Sequence, residues 1–87
     1  MIKVLESTEN YKDNIIMTRN MPYVIFGNKS YLIYIQLEDD TYECRLVNYF
    51  DTMIEIPNGD YFIRKSKNNK LENFIQDTEN ELDEILN

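Results

Sequence analysis

The sequence predicts an α+β fold: a four- to five-stranded antiparallel meander over about residues 23–65, with a C-terminal amphipathic α-helix over about residues 69–86 packed on one face. Three observations predict it. Two stretches of alternating apolar residues each flank a turn-forming pair, Asp39 with Asp40 and Asn58 with Gly59, the pattern of a β-hairpin. The last stretch carries an apolar stripe at helical spacing. A sheet of this size needs such a helix to bury its apolar face.

Residues 1–20 stay open between readings. Ile2 and Val4 alternate as in a short strand. Tyr11, Ile15 and Met17 suit a short helix over about 8–19 with Ser7 or Thr8 as its cap, and Ile15, Ile16 and Met17 equally suit a strand. Pro22 ends what precedes it and favours an extended start. Residues 23–26 are aromatic and β-branched, and residues 27–30 form a turn cluster. Residues 31–38 and about 41–49 are strands around Asp39 and Asp40. With a two-residue loop there, Leu37 faces Tyr42, Ile35 faces Cys44 and Ile33 faces Leu46 on one side of the sheet. Glu38 with Thr41, Gln36 with Glu43 and Tyr34 with Arg45 fall on the other. A slip of one residue exchanges the faces of a strand.

The second hairpin turns at Asn58 and Gly59, which suit a type I′ turn, so that Ile56 faces Tyr61 and Ile54 faces Ile63. Pro57 removes a ladder donor at a strand end, where that is tolerated. A tight loop at Asn28 and Lys29 adds Val24 and Phe26 to the same apolar face. In the helix, Leu71, Phe74, Ile75, Thr78, Leu82, Ile85 and Leu86 form the stripe, and Asn69 with Glu72 three residues on resembles a capping box.

The chain of 87 residues is one small domain, 1–87, and at 43% hydrophobic and 29% charged it is a folded one. It has no histidine, which excludes every histidine-based triad, zinc site and general base. One cysteine, Cys44, excludes an internal disulfide and a cysteine zinc site. Cys44 is expected between strands as a small hydrophobe, Asp39 and Asp40 as a turn rather than an acid–base pair, and Gly27 and Gly59 as isolated turn glycines. The helix acids match no calcium-loop spacing. The expectation is therefore a protein that is not an enzyme, with no catalytic residues, cofactor or metal. No apolar run reaches the roughly 18 residues of a membrane span or the length of a signal peptide. A lone cysteine fits a reducing compartment, so the expected location is the cytoplasm, away from membranes. A chain this short buries only about 60–65% of its unfolded surface, so a homodimer that hides leftover apolar surface is compatible with it.

The charge is lopsided. Glu72, Asp77, Glu79, Glu81, Asp83 and Glu84 lie in residues 71–87 with no base among them and make six of the seven net negative charges. Residues 1–70 hold ten acids against nine bases, with Arg64, Lys65, Lys67 and Lys70 as a basic neck. Asp83 and Glu84 lie where the helix dipole disfavours anions by roughly a few tenths of a kcal/mol each. Solubility alone accounts for a charged face. The functional reading is that this face docks on a basic surface of a nucleic-acid-binding enzyme or complex, its carboxylates standing in for phosphates. Glu72, Glu79 and Asp83 make one stripe, and Asp77, Glu81 and Glu84 the adjoining one. Asn73, Gln76 and Asn80 lie between them.

The second candidate is the sheet face away from the helix, expected to carry Leu32, Tyr34, Val47, Tyr49, Met53 and Phe62 among Gln36, Glu43, Arg45, Glu55 and Arg64. Either the N-terminal segment folds over part of it or the sheet curls into a small barrel, or it is an interface for self-association or a partner through Tyr34, Arg45, Tyr49, Phe62 and Arg64. Its aromatic–arginine mixture also suits stacking of single-stranded bases, but a net charge of -7 opposes direct nucleic-acid binding.

Alanine and tryptophan are absent, and isoleucine, asparagine and tyrosine, with their A/T-rich codons, dominate. The gene is expected in a low-G+C genome or mobile element. In size, charge and A/T-rich composition the chain is similar to small acidic inhibitors made by phages and other mobile elements, including anti-restriction and anti-CRISPR proteins. The similarity is one of general character, matches no motif and carries no residues over. It implies a protein that binds and blocks a partner.

Overall fold

The computed structural model describes residues 7–87. A 3-10 helix, Thr8–Asn14, leads into β1 (Ile15–Ile25), β2 (Asn28–Glu38), β3 (Thr41–Val47), β4 (Ile63–Lys67) and the C-terminal helix α1 (Leu71–Leu86). The strands form one antiparallel sheet in the order β1-β2-β3-β4, and α1 packs on one face. The α+β class and the meander are as the sequence predicts. A strand at Ile2 and Val4 lies outside the described residues.

Both readings of the N-terminal stretch are realised in part. Ser7 caps the 3-10 helix by accepting the Glu9 amide at 3.3 Å, and the strand begins at Ile15. Pro22 does not end that strand. β1 is an edge strand, where a missing donor is tolerated, and its pairing with β2 is irregular between Asn20 and Val24. The Ser30 hydroxyl donates to the Tyr23 carbonyl there at 2.8 Å, supplying a bond the ladder lacks.

The register of β2 is a correction. Glu38 pairs with Thr41 as expected, but Leu37 is then bulged out, and Gln36 pairs with Tyr42, Tyr34 with Cys44, Ile33 with Arg45 and Leu32 with Leu46. One extra residue on β2 exchanges its two faces. Tyr42, Cys44 and Leu46 face α1 as expected, but they are joined by Leu32 and Tyr34 rather than by Ile33 and Ile35. The 55–61 hairpin slips the same way. Glu55, not Ile56, pairs with Tyr61. Pro57 and Asn58 occupy the centre of the turn, the Gly59 amide donates to the Ile56 carbonyl at 2.9 Å, and of these residues only Gly59 has positive φ, 88°. This is the three-residue loop in which an ordinary turn is followed by a left-handed glycine, not a type I′ turn. Proline favours it because its fixed φ suits the first central position.

The hairpin does not add regular strands to the sheet. β4 pairs directly with β3, Cys44 opposite Arg64, and residues 48–62 make an excursion held at Leu46, whose carbonyl accepts the Ile54 amide and whose amide donates to the Phe62 carbonyl, each at 3.2 Å. Ile54, Ile56 and Phe62 fall into the core beneath α1, while Tyr61 is exposed. The β1–β2 turn also differs. It is made by Phe26 and Gly27, with φ 49° and 81°, rather than by Asn28 and Lys29. Ile25 is buried, and Val24 and Phe26 are 69% and 71% exposed instead of joining the core.

α1 starts two residues later than predicted. Lys70 is its N-cap, with no side-chain cap bond. Asn69 does not form the expected capping box. Its carboxamide accepts the Lys70 amide at 2.9 Å and donates to Ser66 Oγ at 3.2 Å. Phe74, Thr78 and Leu82 face the sheet and are buried, flanked by Leu71, Ile75 and Leu86. Phe74 lies edge-on to Tyr34 and stacked on Tyr42, each with ring centroids 6.0 Å apart.

The sheet face opposite α1 is also covered. Ile33, Ile35 and Val47 pack there with Tyr11 and Ile15 from the N-terminal turn. Between them lies an ion pair. Arg45 Nε is 2.9 Å from Glu43 Oε2, with side-chain exposures of 3% and 2%. Arg45 also donates to Thr8 Oγ1 at 3.2 Å and sits 4.9 Å from the Tyr11 ring centroid. Lys65, across the ladder from Glu43, lies 3.5 Å from its second oxygen. Removing one partner of a buried pair strands the other's charge, whereas replacing both with apolar groups is far milder. Glu43→Ala is expected to lose about 3–5 kcal/mol in urea unfolding, and Glu43→Leu with Arg45→Met considerably less. Equal losses in the two variants would show that the pair is not what the N-terminal cover depends on.

Candidate binding surface

The six helix acids divide into two sets. Glu79 is half-buried, 3.1 Å from Arg19 Nε on β1, and accepts the Tyr34 hydroxyl at 3.1 Å. Glu81 is 3.2 Å from Arg64 Nε on β4. Asp83 accepts the Tyr23 hydroxyl, whose oxygen in turn accepts from the Asn87 carboxamide at 3.3 Å. These three carboxylates face down the flanks of the helix and tie it to both edges of the sheet. Glu72, Asp77 and Glu84 are exposed and make no ion pair among the described residues. On a helical wheel Asn73, Gln76 and Asn80 form the ridge opposite the buried Phe74, Thr78 and Leu82, with Asp77 and Glu84 on one side of it and Glu72 on the other. The Gln76 carboxamide donates to Asn80 Oδ1 at 3.1 Å along this ridge. The expected stripes are therefore present as spacing, but half of their charge is spent on anchoring.

Those anchors are what the sequence reading missed. A helix without lysines has no i,i+4 pairs of its own, and its partners come instead from Arg19 and Arg64, far away in the chain. Arg64 also donates to Thr78 Oγ1 at 3.3 Å and lies 5.5 Å from the Phe74 ring centroid. No local signal marks either arginine for this role.

The five residues of the alternative interface are not brought together. Tyr34 and Phe62 are buried under α1, and Arg64 is on the same side. Arg45 is buried on the opposite face beneath the 3-10 helix. Only Tyr49 is a surface group. It projects with Phe50 from a loop that the Asn48 side chain braces by accepting the Phe50 and Thr52 amides at 2.9 and 3.1 Å, the two rings edge to face at 5.4 Å. A groove of about 610 Å³ runs from Phe50 and Tyr61 to Ser7 and Lys12. The bulge at Leu37 and the slip at Tyr61 are the reasons: each turned inward an aromatic residue expected outside.

The one cysteine of the sequence lies in the interior. Cys44 is fully buried, and burial pushes its thiol well above the ordinary range, with the Glu79 and Glu43 carboxylates adding to it. Burial also raises the Tyr34 phenol, helped by the neighbouring thiol and Glu79. The Tyr23 phenol is raised by its bond to Asp83. Among the described residues no group of three or more acids and cysteines is placed to hold a metal ion, and no helix is long and apolar enough to cross a membrane. Compared with known protein families, curated proteins and solved structures, the chain matches none of them.

The raised thiol and phenol carry a pH prediction. The folded state holds both protonated, and unfolding lets them ionise at their ordinary values, about 8.5 for cysteine and about 10 for tyrosine. The stability they contribute is complete below those values and is lost as the pH rises through and beyond them. Urea midpoints are expected to be flat from neutral pH to about pH 8 and to fall above about pH 9. Tyr34→Phe should start lower, having lost the bond to Glu79, and fall less steeply. Cys44 should resist thiol reagents until denaturant is added; rapid labelling of the native protein would contradict its placement.

Proposed function

We propose that the protein acts by binding and blocking a partner through the outer surface of α1, and that it is not an enzyme. The observation that carries this is the division of the helix acids. Arg19 and Arg64 fix the helix to the sheet, and among the described residues the outward carboxylates Glu72, Asp77 and Glu84 have no ion-pair partner. Exposed carboxylates on both sides of the outer line of a fixed helix attract a basic surface, speed encounter with it and help set its register. The partner is a protein with such a surface, for which the nucleic-acid-binding groove of a host enzyme or complex is the best fit. Nucleic acid itself would be repelled by the net charge of -7.

The similarity in general character to small acidic inhibitors of phages and mobile elements, of the anti-restriction or anti-CRISPR kind, agrees with this reading. In this reading the protein acts in the cytoplasm. The competing assembly reading, through Tyr34, Arg45, Tyr49, Phe62 and Arg64, lacks a continuous surface to use.

The test separates anchoring acids from outward ones. Glu72→Gln, Asp77→Asn and Glu84→Gln together should leave the fold intact, since none has an ion-pair partner among the described residues, and should shift stability by about 0.5 kcal/mol or less. In pull-downs at low salt from a low-G+C bacterium, the wild-type protein should recover a nucleic-acid-binding enzyme that elutes as salt is raised, and the triple variant should not. If both recover the same proteins, or neither recovers any, the outward acids only keep the protein soluble. Glu79→Gln is expected to destabilise instead, by about 1 kcal/mol, through loss of its bonds to Arg19 and Tyr34.

A further inference from the structure

We propose that the end of the molecule formed by Val24, Phe26, Pro57 and Leu86 is the docking point for a protein segment that presents an apolar side chain flanked by lysines or arginines. The inference rests on the reading of the protein as a binder of basic partners and gives that reading a contact point. Three distant parts of the chain build this end: the β1–β2 turn, the 55–61 hairpin and the last turn of α1. Together with Tyr23 and Ile25 they line a shallow groove of about 200 Å³.

Phe26 occupies the first central position of its turn with φ 49°, where glycine, asparagine or aspartate is favoured and a bulky side chain is strained. The strain gains nothing within the molecule, because 71% of Phe26 is exposed. Val24 beside it is 69% exposed. Strain held at an exposed aromatic residue is a feature of ligand-contact sites rather than of stabilising turns.

The charge beside this groove selects the occupant. The last turn of α1 has no basic residue. Asp83 and Glu84 lie there instead, where the negative end of the helix dipole disfavours them. Asp83 accepts the hydroxyl of Tyr23, and both Tyr23 and Leu86 line the groove, so the negative helix end borders the apolar patch. A partner's lysine or arginine would supply the counter-charge the last turn lacks while its apolar neighbour covers Phe26. That is the arrangement of an apolar centre with a charged rim. A second copy of this chain would bring the same acids to the same rim. Lys29 pairs with Val24 across the ladder and is not among the residues that line the groove.

The probes are two synthetic peptides of equal length and charge, one alternating lysine with leucine and one alternating lysine with serine. Binding is read by calorimetry and by amide shifts of the labelled protein. The lysine–leucine peptide should bind at least tenfold more tightly than the lysine–serine peptide and move the amides of Val24, Phe26, Gly27 and Leu86. Phe26→Asn, which suits positive φ, should weaken that binding at least tenfold while the melting temperature holds or rises. Val24→Thr, at an exposed strand position, should weaken it without unfolding. Equal binding of both peptides, shifts confined to the outer ridge of α1, or unchanged binding by Phe26→Asn would overturn the docking point. So would self-association of the free protein through the same amides. The double variant Glu72→Gln with Asp77→Asn, which leaves the last turn of α1 intact, keeps the outcomes apart. If it loses both peptides while Phe26→Asn loses neither, the acidic helix reading stands and this inference falls. If Phe26→Asn loses the lysine–leucine peptide and the double variant does not, the docking point stands and the ridge reading falls.

Discussion

The buried ion pair of Glu43 and Arg45 sets the conditions for the rest of the structure. Two charges on one strand, two residues apart, point to the same face of β3. That face also carries Val47 and, from β2, Ile33 and Ile35. Leaving it open would expose apolar surface, and closing it without partners would strand charge in the interior. The 3-10 helix and the start of β1 resolve both. Tyr11 and Ile15 cover the apolar groups, Thr8 accepts from Arg45, and Lys65 approaches Glu43 from the neighbouring strand. The sheet is therefore buried on both faces, which explains why residues 32–35 of β2 are all interior.

Covering both faces leaves α1 to be oriented by polar contacts. Phe74, Thr78 and Leu82 supply the area removed from water, but an apolar stripe by itself tolerates a small rotation or slide. Arg19 on β1 and Arg64 on β4 grip the helix from opposite edges of the sheet, and Tyr34 reaches Glu79 from beneath. Each exposed pair is worth about 1 kcal/mol or less. Their value is geometric: they fix which carboxylates face down the flanks and which face outward.

The division between what could and could not be read from the sequence follows from this. The helix was legible because its stripe has one buried side and a long period to average over. The antiparallel class and the turns near Asp40 and Gly59 were legible from local chemistry. The faces of β2 were not, because alternation identifies an inner face only when the other face is wet, and Leu32, Ile33, Tyr34 and Ile35 look alike in either register. One bulged residue at Leu37 and one three-residue loop at Gly59 then decided where Tyr34, Phe62 and Arg64 went. Among the candidate site residues, the acids were found and their surface placement followed from helical spacing. Their split into anchors and outward groups depended on Arg19 and Arg64, which lie 60 and 17 residues from Glu79 and Glu81, whereas a spacing rule sees only near neighbours in sequence.

A sequence that specifies one fold usually agrees with itself at every level, and disagreements concentrate where another constraint acts. Here most local choices agree with the fold. The disagreements gather at one end: a phenylalanine in a left-handed turn position, two carboxylates at the negative end of a helix, and apolar side chains left in water although the core lies one residue away at Ile25. Asparagine at 26 and lysine in the last turn of α1 would each be the locally favoured choice. Neither would disturb a core contact. The three departures are independent in origin, since they concern backbone strain, electrostatics and hydration, yet they share a location. Folding stability gives no reason for that coincidence, whereas the proposed docking point would use all three in the same place.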